Sequence, residues 1–187
     1  MPGIMRALHT VPEALSPADC ARLVAAAAAA PLSDAGLVRQ TTDHRLRRAD
    51  LAWLDDLPDC AWAMDLLMRA VAAANRDAFG FDLTDFAESA QIARYDAARA
   101  GHFDWHSDIG AGALAQKRKL TIVVQLSDPA DYAGGALEVW PDNAPRTAPR
   151  DRGTASIFPS FMLHRVTPVT KGLRWSLTLW AHGPAFR

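Results

Sequence analysis

His106-Ser107-Asp108 is a triplet whose residue types could do chemistry together. Residues two apart in an extended segment project to the same side, so one imidazole and one carboxylate can reach a single ion. A second imidazole is available at His164, far enough along the chain for several strands to pass between. Two imidazoles and one carboxylate on one face of a metal leave coordination positions open. That donor set suits non-haem Fe(II) better than Mg or Ca. Each residue alone has a plainer reading: an HxD triplet can cap a turn, and His164, in the apolar run Phe161-Met162-Leu163, can be a core histidine with a satisfied ring.

Arg174 follows His164 in a strand that reads Arg174, Trp175, Ser176, Leu177, Thr178, Leu179, Trp180. Period two puts Arg174, Ser176, Thr178 and Trp180 on one face and the leucines on the other. A guanidinium fork with a hydroxyl two positions on can hold a carboxylate bidentately. The alternative is an arginine in a surface ion pair.

The elements that must position these residues divide the chain in two. Ser16-Pro17 starts a helix, with serine capping the free amides and proline at the first helical position. It continues through Leu23, Val24 and the alanines 25–30 to Pro31, and its alanines suit close packing on a sheet. A second helix is expected over 57–79, with Leu57, Ala61, Met64, Met68 and Val71 at helical spacing and Gly80 as its stop. Between them, 32–55 reads as a mixed polar stretch. Its basic cluster, Arg45, Arg47 and Arg48, either lines a substrate entrance or is a solvated loop face. After Phe81, strands are expected near 87–96, 102–106, 119–127, 135–140, 153–158, 163–169 and 174–182, with turns at Gly134-Gly135 and 141–149. Helices followed by many strands predict an α+β chain with a sandwich or small barrel of jelly-roll type.

Composition narrows the function classes. The chain has 187 residues, half of them hydrophobic, and a net charge of −1, which suits one compact domain. No basic excess points to nucleic acid. Cys20 and Cys60 form no CxxC pair and read as reduced core thiols rather than a zinc site. No signal-peptide pattern and no run long enough to span a membrane are visible, so the expected location is the cytoplasm, with no membrane partner.

The order HxD, His, then Arg-x-Ser resembles the 2-oxoglutarate/Fe(II)-dependent oxygenase superfamily. The segment 158–174, the run Gln91-Ile92-Ala93-Arg94-Tyr95, Gly101 and Gly134-Gly135-Ala136-Leu137 are similar to its prolyl 4-hydroxylase-like branch, including bacterial PKHD-type hydroxylases. The resemblance covers about residues 86–182. It implies a double-stranded β-helix (jelly-roll, cupin-like) core over about 86–182, supported by mainly helical residues of about 1–85, in a single domain 1–187. It implies Fe(II) held by His106, Asp108 and His164, 2-oxoglutarate held by Arg174, Ser176 and Tyr95, O2 as oxidant and ascorbate as an auxiliary reductant. The reaction implied is hydroxylation of an unactivated C–H bond with conversion of 2-oxoglutarate to succinate and CO2. Asp108 fills the position that a halogenase leaves to halide. The substrate the resemblance implies is a prolyl or other residue of a protein or peptide; a free amino acid or small metabolite is the alternative. A non-catalytic cupin-like metal-binding or sensor module is the alternative from a different class. Trp105 and Trp180 either wall the pocket or pack in the core, and His102 and His182 are expected in core or rim packing. The chain ends at Arg187, soon after its last strand, where many PKHD-type proteins continue. Oligomeric state is not legible.

Overall fold

The structure, a computed structural model, describes residues 7–35, 37–38 and 41–186. In chain order, its elements are β1 (His9–Val11), α1 (Pro17–Ala29), β2 (Ser33–Asp34), β3 (Leu37–Val38), β4 (Thr41–Thr42), β5 (Arg47–Arg48), β6 (Asp50–Trp53), α2 (Trp62–Ala74), β7 (Gln91–Asp96) and β8 (His102–His106). They continue with β9 (Arg118–Gln125), β10 (Tyr132–Gly134), β11 (Leu137–Trp140), β12 (Arg146–Thr147), β13 (Ala155–Pro159), β14 (Leu163–Val166) and β15 (Val169–His182).

The larger sheet runs β1-β13-β9-β15-β7-β6-β2, with β10 attached to β15, and the smaller runs β12-β11-β14-β8-β5. All strand pairs in both sheets are antiparallel. Period two lets the larger sheet serve two cores at once. On one face Ile122, Val124, Leu177 and Leu179 join Leu23 and Ala27 of α1 and Leu67 and Val71 of α2. On the other face Ala93, Tyr95, Val123 and Phe158 meet Leu137, Val139 and Val166 of the smaller sheet. The layers are thus helices, large sheet and small sheet, as expected for a jelly-roll core with a helical support.

The helix signals hold closely in α1. Ser16 Oγ accepts from the Asp19 amide at 3.1 Å and Asp19 answers to the Ser16 amide, a reciprocal capping box with Pro17 in the first turn. The second helix starts later than the spacing predicts. Leu54–Asp56 forms a 3₁₀ turn, Asp59 adopts φ 56°, and regular helix begins only at Trp62. It ends through a π turn at Asn75–Phe79, with Gly80 left-handed at φ 69°. The stretch 32–55 differs more. It supplies β5 and β6, and β6 joins the large sheet beside β7 with Ala52 and Leu51 buried. Four strand residues are too few for alternation to stand out among charged neighbours. The last strand begins at Val169 rather than 174, because β10 extends the ladder beyond β7.

Gly153 ties the support layer to the large sheet. Its amide donates to Gln125 O at 2.7 Å and its carbonyl accepts from Leu15 N at 3.2 Å, just before α1. Its φ is +82°, and a Cβ would fall on the Leu15 carbonyl oxygen. Gly153→Ala is therefore expected to lower unfolding stability by about 1–3 kcal/mol in urea melts. Gly112→Ala, where a Cβ meets only ordinary contact at 3.7 Å, is expected to change it little.

Candidate metal and cosubstrate site

Antiparallel pairing of β8 with β14 sets His106 directly opposite His164. The two rings lie 4.1 Å apart between centroids. Each histidine uses its Nδ1 on a carbonyl two residues back: His106 on Asp104 O at 2.7 Å, His164 on Met162 O at 2.9 Å. A carbonyl only accepts, so Nδ1 carries a proton, and in the neutral ring Nε2 then presents a lone pair. Both Nε2 atoms face Asp108, from 3.6 Å (His106 to Oδ1) and 3.5 Å (His164 to Oδ2). Asp108 lies just past the end of β8, where its amide donates to Ser160 O at 2.9 Å. The three ligand atoms all fall within 4.8 Å of one another.

Asp108 is nearly buried, with 8% of its side chain exposed. Its Oδ2 accepts from Thr121 Oγ1 at 2.7 Å and Trp180 Nε1 at 2.9 Å, while Oδ1 takes no hydrogen bond among the described residues. Burial alone pushes the carboxyl up. The attraction of His164, the contact with His106 and the Trp180 N–H outweigh it, leaving Asp108 well below the usual carboxylate range. Burial lowers His164, and His106 lowers it further, against the pull of Asp108. A neutral imidazole beside an ionised carboxylate is the protonation state that metal binding requires, and two nitrogens with one oxygen fit Fe(II). The residues present therefore suit the metal that the donor set implies.

Arg174 lies on β15 opposite Tyr95 of β7 and is fully buried. Its Nη2 donates to Gln125 Oε1 at 2.9 Å and its Nη1 weakly to Ser176 Oγ at 3.4 Å, while Nε has no partner. The guanidinium carbon sits 5.3 Å from the Tyr95 ring centre. No carboxylate pairs with it among the described residues. A buried cation without a counter-ion is costly, and the bidentate fork fits the carboxylate of a bound acid. The Tyr95 hydroxyl likewise makes no hydrogen bond among the described residues. Gly135 makes room for this arginine, since a Cβ there would press on Arg174 Cδ at 2.9 Å. The Gly134-Gly135 turn thus serves the site as well as the chain reversal.

A cavity of about 320 Å³ opens between the sheets against His106, Asp108 and His164. Tyr95, Ser176, Thr178 and Trp180 line it, and Arg174 adjoins Tyr95 and Ser176. Trp105 is not in the wall; it packs on Trp140, with Arg165 over its ring. Sequence reasoning missed Gln125, Thr121 and a buried network at one edge. There Glu88 accepts from Arg118 Nε at 2.6 Å and from His182 Nε2 at 2.9 Å. His182 is buried and its Nδ1 accepts from the Ala87 amide, so its proton lies on the nitrogen facing Glu88. Arg118 in turn donates to Asp108 O at 3.0 Å and stacks over Trp180 at 4.0 Å. Thr121 and Gln125 were signalled only as polar positions inside an otherwise apolar strand, and Glu88 lies outside any strand.

Comparison with known proteins agrees with this geometry. The family model described as the 2OG-Fe(II) oxygenase superfamily matches residues 90–182. A PKHD-type hydroxylase from Xanthomonas axonopodis pv. citri is 29% identical over 182 residues, covering 93% of this chain and 78% of that protein. One from Sphingopyxis alaskensis is 42% identical over 76 residues, 39% of this chain, but the match spans only 35% of its own length. Among solved structures, a Pseudomonas putida prolyl-4-hydroxylase superposes with a TM-score of 0.73 at 22% identity, over 94% of this chain and 92% of that one. A Trichoplax adhaerens prolyl hydroxylase, solved with a hypoxia inducible factor peptide fragment, superposes with a TM-score of 0.76 at 18% identity, over 94% and 83% of the two chains.

Burial pushes the Glu88 carboxyl up, but Arg118 and His182 hold it below the ordinary range. Its stabilising effect is therefore present above about pH 4.3, the ordinary glutamate value, and is lost as pH falls through the depressed one. Glu88→Gln is expected to unfold about 1.5–3 kcal/mol more easily at pH 7, with the gap from wild type closing in urea melts toward pH 3. A gap of constant size would contradict this ion-pair account. On the motifs, the fold and these matches together, residues 90–182 match the 2OG-Fe(II) oxygenase superfamily, and the chain is similar to PKHD-type hydroxylases in sequence and to prolyl hydroxylases in fold.

Proposed function

We propose that this protein is an Fe(II)- and 2-oxoglutarate-dependent hydroxylase, with iron on His106, Asp108 and His164 and the far carboxylate of 2-oxoglutarate on Arg174. The observation that carries the reading is the pairing of two features in one inter-sheet space. A His/Asp/His cluster has its lone pairs converging, and a fully buried arginine has no carboxylate of its own. A bare metal-binding cupin-like module would have no use for that arginine.

Bound iron would supply O2 activation coupled to breakdown of 2-oxoglutarate to succinate and CO2, with ascorbate as an auxiliary reductant. The chain's own residues bind, orient and keep water out. Thr121 and Trp180 hold one oxygen of Asp108 and leave Oδ1 without a protein donor. The Nδ1 bonds of both histidines fix their rings. Gln125 orients the Arg174 fork, Ser176 stands beside it, and the Tyr95 hydroxyl is the free donor on the neighbouring strand. Val123, Leu137 and Val166 give the cavity apolar walls that exclude water and strengthen each charge interaction inside.

The substrate reading follows the relatives: a prolyl or other residue of a peptide or protein, supported by the peptide bound to the Trichoplax neighbour. A free amino acid is the second reading, because a cavity of about 320 Å³ lies at the low end for small-ligand sites. The cytoplasm is the compartment this reading takes, in keeping with two buried free cysteines. No helix among the described residues is long and apolar enough to cross a membrane.

Anaerobic titration of the metal-free protein with Fe(II) and 2-oxoglutarate tests the assignment. The weak visible charge-transfer band of a chelated 2-oxo acid is expected in the intact protein and absent in His164→Ala. In Arg174→Ala it should appear only at roughly 100-fold higher 2-oxoglutarate, the loss of a charged, bidentate contact. Thr121→Val is expected to weaken metal binding about 10–100-fold, as second-sphere losses do. No band in the intact protein would overturn the oxygenase reading.

A further inference from the structure

Of the arginines that the sequence marks as a basic cluster, one turns inward. Arg47 lines the metal cavity, whereas Arg45 and Arg48 line a separate outer groove with His102 and Arg165. Arg118 also lines the cavity, but Glu88 neutralises it. Arg47 has no such partner among the described residues. Its Nη2 donates to the neutral Gln91 Oε1 at 2.6 Å, its Nε is buried without a partner, and Nη1 donates to nothing else described. Its guanidinium carbon sits 4.4 Å over the Phe103 ring, and Phe103 stacks on His106 at 3.4 Å. One aromatic ring therefore separates this cation from a candidate metal ligand.

The position is built rather than incidental. Arg47 pairs with Phe103 in the β5–β8 register, so the sheet itself holds the arginine over that ring. Gln91 is buried on β7 of the opposite sheet, so the side chain bridges the two sheets across the cavity mouth. A partly desolvated guanidinium fork with free donors favours an anion, and its planar shape matches a carboxylate. Arg174 does not compete for the role, since it is fully buried and is the arginine proposed for the carboxylate of 2-oxoglutarate.

We propose that Arg47 is a substrate-recognition residue, and that the substrate carries a carboxylate on, or immediately next to, the residue that is hydroxylated. The inference rests on the oxygenase reading above and adds a substrate class to it. The short path from Arg47 to His106 sets the spacing: an anchored carboxylate belongs to the reacting residue or its chain neighbour. Two sources share this chemistry, an Asp or Glu side chain flanking the target in a peptide and the α-carboxylate of a free amino acid.

The test uses the Fe(II)-loaded protein with 2-oxoglutarate under anaerobic conditions, so that nothing turns over. Retention in ultrafiltration is measured for capped tetrapeptide pools containing Asp or Glu, for matched pools with Asn or Gln in their place, and for a mixture of free amino acids against their amides. Wild type should retain the acidic pool, or the free acids, about tenfold or more over the amide counterparts, the range of a charge-assisted contact. Arg47→Gln should level the two, and Arg47→Lys should keep part of the preference. Which acid source is retained tells peptide from amino acid. The charge-transfer band should persist in Arg47→Gln, because the described contacts of Arg47 are with Gln91 and Phe103 and not with a metal ligand or Arg174. Band present with no acid preference, or a preference indifferent to Arg47→Gln, overturns the inference and leaves the oxygenase reading standing. Absence of the band in wild type overturns both.

Discussion

A carboxylate buried between two sheets has to be neutralised, and the site is arranged around that constraint. Asp108 sits in the inter-sheet space at 8% side-chain exposure, where an unpaired charge would be driven to protonate. Two of its neighbours donate hydrogen bonds to Oδ2, and the two imidazoles approach one oxygen each, His106 at Oδ1 and His164 at Oδ2. Burial lowers His164 and so weakens it as a counter-charge. The arrangement is satisfied most fully when a cation sits among the three. The same logic applies on β15, where Arg174 is a buried positive charge in need of an anion. One cavity thus carries two complementary electrostatic demands, and a metal with a bound 2-oxo acid meets both.

The register of the sheets carries these demands. β15 lies between β7 and β9 and contributes a polar face toward the cavity while its leucines anchor the helices. That register sets Arg174 beside Tyr95, Ser176 beside Gln125, and Trp180 beside Thr121. A slip of one residue would send every one of these side chains into the helical layer. The apolar face is therefore what specifies the site: Leu177 and Leu179 hold the polar residues in position without touching the chemistry.

Much of this was legible because the candidate site residues break a pattern. His106, Asp108, His164 and Arg174 are polar residues in segments whose neighbours alternate as buried strands do, and their order along the chain matched a known motif. The support partners were harder to see. Thr121 and Gln125 are ordinary polar residues in a strand, and Glu88, Arg118 and His182 lie far apart in sequence, so only the folded register brings them together. The stretch 32–55 misled for a different reason. Its strands are only two to four residues long, so local charge outweighed the period-two signal. Arg47 was visible only as one of three arginines, because the inward and outward members of such a cluster are separated by pairing with β8 and not by residue type. The late start of α2 reflects Pro58 and the left-handed Asp59, which together interrupt a spacing that otherwise continues back to Leu57.

The most direct test of the central claim is a crystal structure of the protein grown anaerobically with Fe(II) and 2-oxoglutarate, with the metal located by anomalous scattering at the iron edge. The account predicts a single iron bonded to Nε2 of His106, Nε2 of His164 and Oδ1 of Asp108, with the far carboxylate of 2-oxoglutarate forked by Arg174. Iron at other residues, or a 2-oxoglutarate whose far carboxylate lies away from Arg174, would contradict it.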